Sequence, residues 1–232
     1  MWHSLLLLHV CGAVVGLLAG FAAMLVRKGS NWHGATGTVF FASMLVMSST
    51  AAVIATFHRV NAVNMCVGLL TFYLVSTSWW AAKHREGRLG PFDRGALVWI
   101  IVLTTMWMTF GIQAATSPTG KKDDMPAMLY FIFGTVSLLC LAGDVRMFGR
   151  GGAIGTHRIG RHLRRMGLAL MIATLSFYPG QARFLPKAMK EMPVIWLPHI
   201  FLLVSLIYWM WRYRIRRRAR QQREHAPAVS YA

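Results

Sequence analysis

Acidic residues are scarce in this chain: seven Asp and Glu stand against 25 Lys and Arg in 232 residues, for a formal charge of +18. Charged residues of both signs make up only 14%, where a soluble domain carries about a quarter. Cysteine is almost absent as well. Cys11, Cys66 and Cys140 all fall in apolar runs with no CxxC spacing, which excludes a disulfide scaffold and predicts buried small hydrophobes. Cys11 and Cys66 share a depth that would admit a disulfide, but buried thiols are the simpler expectation. There is no Walker A, HExxH, GxSxG or dinucleotide fingerprint, so hydrolase and nucleotide chemistry have no support. The last apolar run has no lysine for a retinal Schiff base. No internal repeat and no soluble domain stand out. What is abundant is apolar: 56% of the residues are hydrophobic. That excludes a disordered chain and a coiled coil, and predicts an all-α polytopic membrane protein with basic loops.

A membrane span needs about 20 apolar residues. Such runs lie at roughly 4–26, 33–57, 62–82, 95–116, 126–148, 163–180 and 193–212. Polar stretches such as RKGSNWHG, KHREGRLGPFDRG and TSPTGKKDDMP separate them. Helices are expected because a barrel strand would be half as long and alternating. The first 26 residues lack the basic start of a signal peptide, and Arg27 and Lys28 follow the apolar stretch. This predicts a retained first span with the N-terminus outside.

Charge decides the sixth run, whose clean apolar part, Met166 to Tyr178, is short. With seven crossings, 19 of the 25 basic residues fall inside and six outside. Without the sixth crossing the split is 15 to 10, which the positive-inside rule disfavours. Seven transmembrane helices follow, N-terminus out and C-terminus in, with Arg164 and Arg165 snorkelling at the inner surface. Residues 1–212 form the transmembrane domain and 213–232 a basic cytoplasmic tail. Arg212, Arg214, Arg216, Arg217 and Arg218 are expected to bind membrane lipids through anionic headgroups. The tail has no recognisable nucleic-acid fold, and topology already explains its charge, so no nucleic acid is expected.

None of the seven acids lies at mid-bilayer, and Asp144 is the deepest. That weakens a proton-coupled carrier. Arg146, two positions away, points to another side of a helix, so Asp144 is expected to pair with Arg161 or Arg165 and fix helix packing. The deep polar groups are the hydroxyls Ser48, Ser49, Thr50, Thr104, Thr105 and Ser137, whose usual role is helix–helix hydrogen bonding. Gly12, Gly16 and Gly20 form a GxxxGxxxG run below His9. Close helix packing is its common role, and a flat cofactor against the groove the rarer one.

The histidines divide by face: His3, His9, His58 and His199 outside, and His33, His84, His157, His162 and His225 inside. His9 and His199 sit at one depth, roughly 8 Å below the outer boundary, and His33 and His162 both open inner ends of spans. Two histidines at one depth on two helices are what bis-imidazole ligation of haem b requires. Interfacial histidines are also common without any cofactor, so both readings stay open. Fifteen methionines invite a copper(I) reading. Met125-x-x-Met128 and Met189-x-x-Met192 lie at the outer face, but Met at helical spacing is usually packing filler.

The stretches LHVCGAVVGLLAGFAAMLVRKGSNWHGATGTVFFASMLVMSST, GDVRMF and RHLRRMGLALMIATLSFYPGQARFLP resemble a bacterial membrane family catalogued as domain of unknown function 2306. The resemblance covers nearly the whole chain. It implies a fold and no activity, and it singles out His33, Asp144, Arg146, His162, Arg165, Ser176 and Gln181. The family pattern has phenylalanine and an aliphatic residue where this chain has Tyr178 and Pro179. Proline there predicts the end of the span. The resemblance shifts weight to an inner cluster of His33, Asp144, His162 and Arg165. Such a cluster could bind an anionic or quinone-like head, or lock inner helix ends together. Three functions remain in view for this inner-membrane protein: a haem- or quinone-associated redox protein, a small-molecule or ion transporter or channel, and a non-catalytic assembly or lipid-interaction protein.

Overall fold

The computed structural model describes residues 1–181 and 196–225, with the side chains of residues 178–181 and 216–225 outside the description. Its helices are α1 (Trp2–Leu25), α2 (Asn31–Phe57), α3 (Ala62–Lys83), α4 (Pro91–Thr116), α5 (Ala127–Gly149), α6 (Gly155–Gln181) and α7 (Leu197–His225). A two-residue antiparallel hairpin, β1 (Lys121–Lys122) and β2 (Met125–Pro126), joins α4 to α5. The fold is all-helical. Among the described residues five helices, α1 to α5, are long and apolar enough to cross a membrane. On α6, four of the first eleven residues are arginine, and α7 ends in a basic half.

Local chemistry sets the helix starts. Ser30 accepts the His33 amide at 3.2 Å to cap α2, and Asn61 accepts the Asn64 amide at 2.9 Å to cap α3. α4 begins at Pro91, four residues before the expected start. Proline suits the first helical position, and Asp93 accepts the Gly90 amide at 3.0 Å. α6 begins at Gly155 rather than 163, because its arginines find partners within the bundle. It is described as far as Gln181, two residues past Pro179 and one past the expected end of the span at 180. α7 runs without a break beyond residue 212 to His225, so the first part of the expected tail extends a helix.

α3 is the central helix. In its apolar window 56% of the residues are buried, against 17% for α1. It packs on α2, α4, α5 and α6. Leu70, Tyr73, Leu74 and Val75 of α3 meet Met44 of α2, Ile100 and Trp107 of α4, and Leu170 of α6 in one core. The outer faces stay apolar and uncovered, as at Leu7, Leu18, Val98, Ile112 and Leu139. An apolar surface that continuous marks a lipid-facing belt.

The predicted glycine seam is a packing seam. A β-carbon on Gly12 would stand 3.1 Å from the Ser43 carbonyl and 3.2 Å from the Met47 amide. One on Gly20 would press on Phe40 and Leu170. α2 therefore fills the groove along α1 that a flat cofactor was alternatively expected to occupy.

The two ends of the bundle differ. At one end, the α3–α4 and α5–α6 loops meet in a bridge between Arg88 and Gly152. The Tyr213 hydroxyl donates to the Thr156 carbonyl, and Lys28 of the α1–α2 turn stands over Trp209. At the other end, Trp2 stacks on His58 at 4.7 Å, and the α4–α5 hairpin meets the start of α3.

Candidate functional site

The basic end holds a buried charge cluster centred on Asp144 of α5, which is 1% exposed. Arg161 of α6 donates to its Oδ1 at 3.0 Å. Arg165, one helical turn further, donates to the same oxygen, and the Tyr73 hydroxyl of α3 donates to Oδ2. The Arg165 guanidinium also donates to the Tyr73 oxygen at 2.8 Å and lies 4.8 Å from the Tyr73 ring centre. The expectation that Asp144 pairs with Arg161 or Arg165 thus finds both at once. Arg146 is exposed and takes no part in these ion pairs. Tyr73 escaped the sequence reading. The available signal was a tyrosine inside an apolar run, whose hydroxyl must find a partner when buried.

Beside Arg161 lies a cavity of about 20 Å³, lined by Trp80, His84, Arg88, Asp93 and Met147 among others. That is room for one water molecule. Asp93, a second buried carboxylate, lines the same cavity within electrostatic range of Arg161.

Cations also cap the helix ends that terminate here. Lys28 donates to the Ala23 and Met24 carbonyls of α1 at 2.9 and 2.6 Å. Arg158 donates to the Ala81 and Ala82 carbonyls of α3 at 2.9 and 2.6 Å. The last carbonyls of a helix have no partner within it and carry its partial negative charge, so basic side chains stabilise them.

Two imidazoles join this capping. His33 of α2 places Nδ1 3.1 Å from the Ala23 carbonyl. His162 of α6 places Nδ1 3.0 Å from the Ser78 hydroxyl and 3.2 Å from the Ser78 carbonyl. The Ser78 hydroxyl in turn donates to the His162 carbonyl at 2.9 Å. A carbonyl only accepts, so Nδ1 carries the proton in both rings and Nε2 carries the lone pair. His33 and His162 lie within electrostatic range of each other, and both are half-buried. His9 repeats the pattern at the other end, with Nδ1 2.9 Å from the Met47 carbonyl. Its expected partner His199 is buried on α7 beside Trp196. No contact brings His9 and His199 together among the described residues.

The remaining expected site residues scatter. Ser176 is exposed, and Gln181 ends α6 with its side chain outside the description. Arg212 and Arg214 are exposed on α7, while the side chains of Arg216, Arg217 and Arg218 are outside the description. Met125 is half-buried and Met128 exposed. Met189 and Met192 lie outside the described residues. Among the described residues no group of three His, Cys, Asp or Glu could hold a metal ion. The three cysteines are unbridged; Cys66 and Cys140 are buried as expected, but Cys11 is exposed on the apolar face of α1. Its small apolar side chain suits lipid contact as well as a core. Comparison with protein-family models, curated proteins and solved structures found no match.

Proposed function

We propose that the chain is a seven-span protein of the bacterial inner membrane, of the family it resembles, with its N-terminus outside and its basic end in the cytoplasm. On this reading it is a membrane redox protein that holds haem b on His33 and His162. The orientation rests on the basic side chains gathered in the α1–α2, α3–α4 and α5–α6 connections. The site rests on one observation: His33 and His162 lie within electrostatic range of each other and both present Nδ1 to backbone oxygens, which leaves Nε2 as the ligating nitrogen. Metal-ligating histidines are oriented in the same way, because the second hydrogen bond fixes both ring and tautomer. Haem held there by His33 and His162 would supply one-electron transfer.

The chain's own residues do the positioning. Ser78 and the end of α3 hold the His162 ring. The Asp144 cluster, with both carboxylate oxygens taken, braces the helix that carries it. Saturated in this way, Asp144 serves better as a clasp than as a carrier's titrating acid. The test is an absorbance spectrum of the detergent-purified full chain, expressed with added haem precursor and then titrated with haem. A Soret band is expected that is lost in His33→Ala and in His162→Ala and kept in His9→Ala. A colourless protein that takes up no haem overturns the reading. So does a band that depends on His9 and His199 instead.

A further inference from the structure

A second basic cluster lies at the same end, on α7 and the α1–α2 turn. While capping α1, Lys28 holds its ammonium 4.9 Å from the Trp209 ring centre. Arg212 lies 5.7 Å from the same ring and donates to the Tyr208 hydroxyl at 2.6 Å. Two cations from distant parts of the chain therefore share one indole, whose ring attracts both. Neither has a carboxylate partner: the ion pairs among the described residues are those of Asp144 with Arg161 and Arg165. Burial pushes the Lys28 ammonium below its ordinary value. An ammonium partly stripped of water beside a second cation gains from a nearby anion.

The surroundings say which anion. On the side of α7 that bears Arg212, Leu197, Phe201 and Tyr208 are exposed at helical spacing, an apolar strip long enough to lie along acyl chains. A phosphate carried on a lipid meets the cations and this face together, whereas a soluble anion meets only the cations. We propose that Lys28, Trp209 and Arg212 form a binding site for the phosphate of an anionic membrane lipid of the phosphatidylglycerol type, its chains lying along α7. This rests on the reading of the basic end as a membrane interface, and not on haem.

The test is native mass spectrometry of the full chain incubated with phosphatidylglycerol or phosphatidylcholine. Phosphatidylglycerol is expected to be retained in preference. One interfacial charge contributes about fivefold in binding, so Arg212→Gln should cut retention by about that factor and the Lys28→Gln/Arg212→Gln pair by roughly 25-fold. Arg85→Gln, an exposed arginine of the α3–α4 loop, should leave it unchanged. Added inorganic phosphate should not displace the lipid. Equal retention of the two lipids, an Arg212→Gln loss no larger than that of Arg85→Gln, or displacement by phosphate would each overturn the proposal. Because Lys28 also caps α1, the Arg212→Gln arm decides if the double variant fails to fold. The Soret band of the Arg212→Gln sample should be unaffected, which separates failure here from failure of the haem reading.

Discussion

Asp144 and Asp123 stand at opposite ends of the bundle, and the ends are held together differently. Asp144 is buried among two guanidinium groups and a tyrosine, and it ties α3, α5 and α6 into one unit. Asp123 is exposed on the hairpin, in the left-handed backbone region at φ 51°, and accepts the Ala62 amide at 2.8 Å. The Asn61 side chain donates to its carbonyl at 3.3 Å. One carboxylate is surrounded by charge in a dry setting; the other caps a helix in reach of water. A buried ion pair adds little to stability as a whole, yet removing one partner is costly because the other charge stays buried. An exposed cap contributes a modest amount whichever way it is removed.

The largest effect should therefore come from Asp144→Ala, which removes the carboxylate that both Arg161 and Arg165 pair with. A loss of about 3–5 kcal/mol is expected in denaturant unfolding from mixed micelles. Combining it with Arg161→Met and Arg165→Met should recover much of that loss, since the stranded charges go too. At the other end Asp123→Ala should cost about 1 kcal/mol as α3 loses a cap. Asp123→Asn should cost less, because asparagine keeps an acceptor and tolerates positive φ. If the two alanine variants proved equally mild, the contrast between a charge-locked end and a capped end would collapse.

The apolar pattern made most of the helical layout legible. The run at 62–82 became Ala62–Lys83 and that at 126–148 became Ala127–Gly149. The glycine seam was legible because small residues four apart fall on one helical face. The start of α6 was not. In sequence an arginine-rich stretch looks like a solvated loop, and only the fold supplies the Asp144 carboxylate and the α3 carbonyls that let it be helical. Asp144 was found because a lone acid near a span must be paired. Tyr73 was missed because its partner lies 71 residues away and an aromatic in an apolar run reads as core. The histidine orientation was equally hidden: the acceptors are largely backbone carbonyls, which every residue carries and which leave no mark in the sequence.

Between the two ends the bundle has few polar ties, and one of them sharpens the comparison. Thr104 of α4 and Ser137 of α5 are both buried, and their hydroxyls lie 2.7 Å apart. Thr104 also donates to its own Ile100 carbonyl at 2.7 Å, so the proton of the interhelical bond comes from Ser137. A double-mutant cycle of Thr104→Val and Ser137→Ala should give a coupling of about 0.6 kcal/mol, the average for hydroxyl bonds between membrane helices. The reason is that each hydroxyl can fall back on its own helix carbonyls when the other is removed. Without Asp144, Arg165 keeps the neutral Tyr73 hydroxyl, which leaves its charge uncompensated. A coupling as large as the Asp144→Ala loss would mean that dry surroundings alone, and not net charge, make the basic end costly to break.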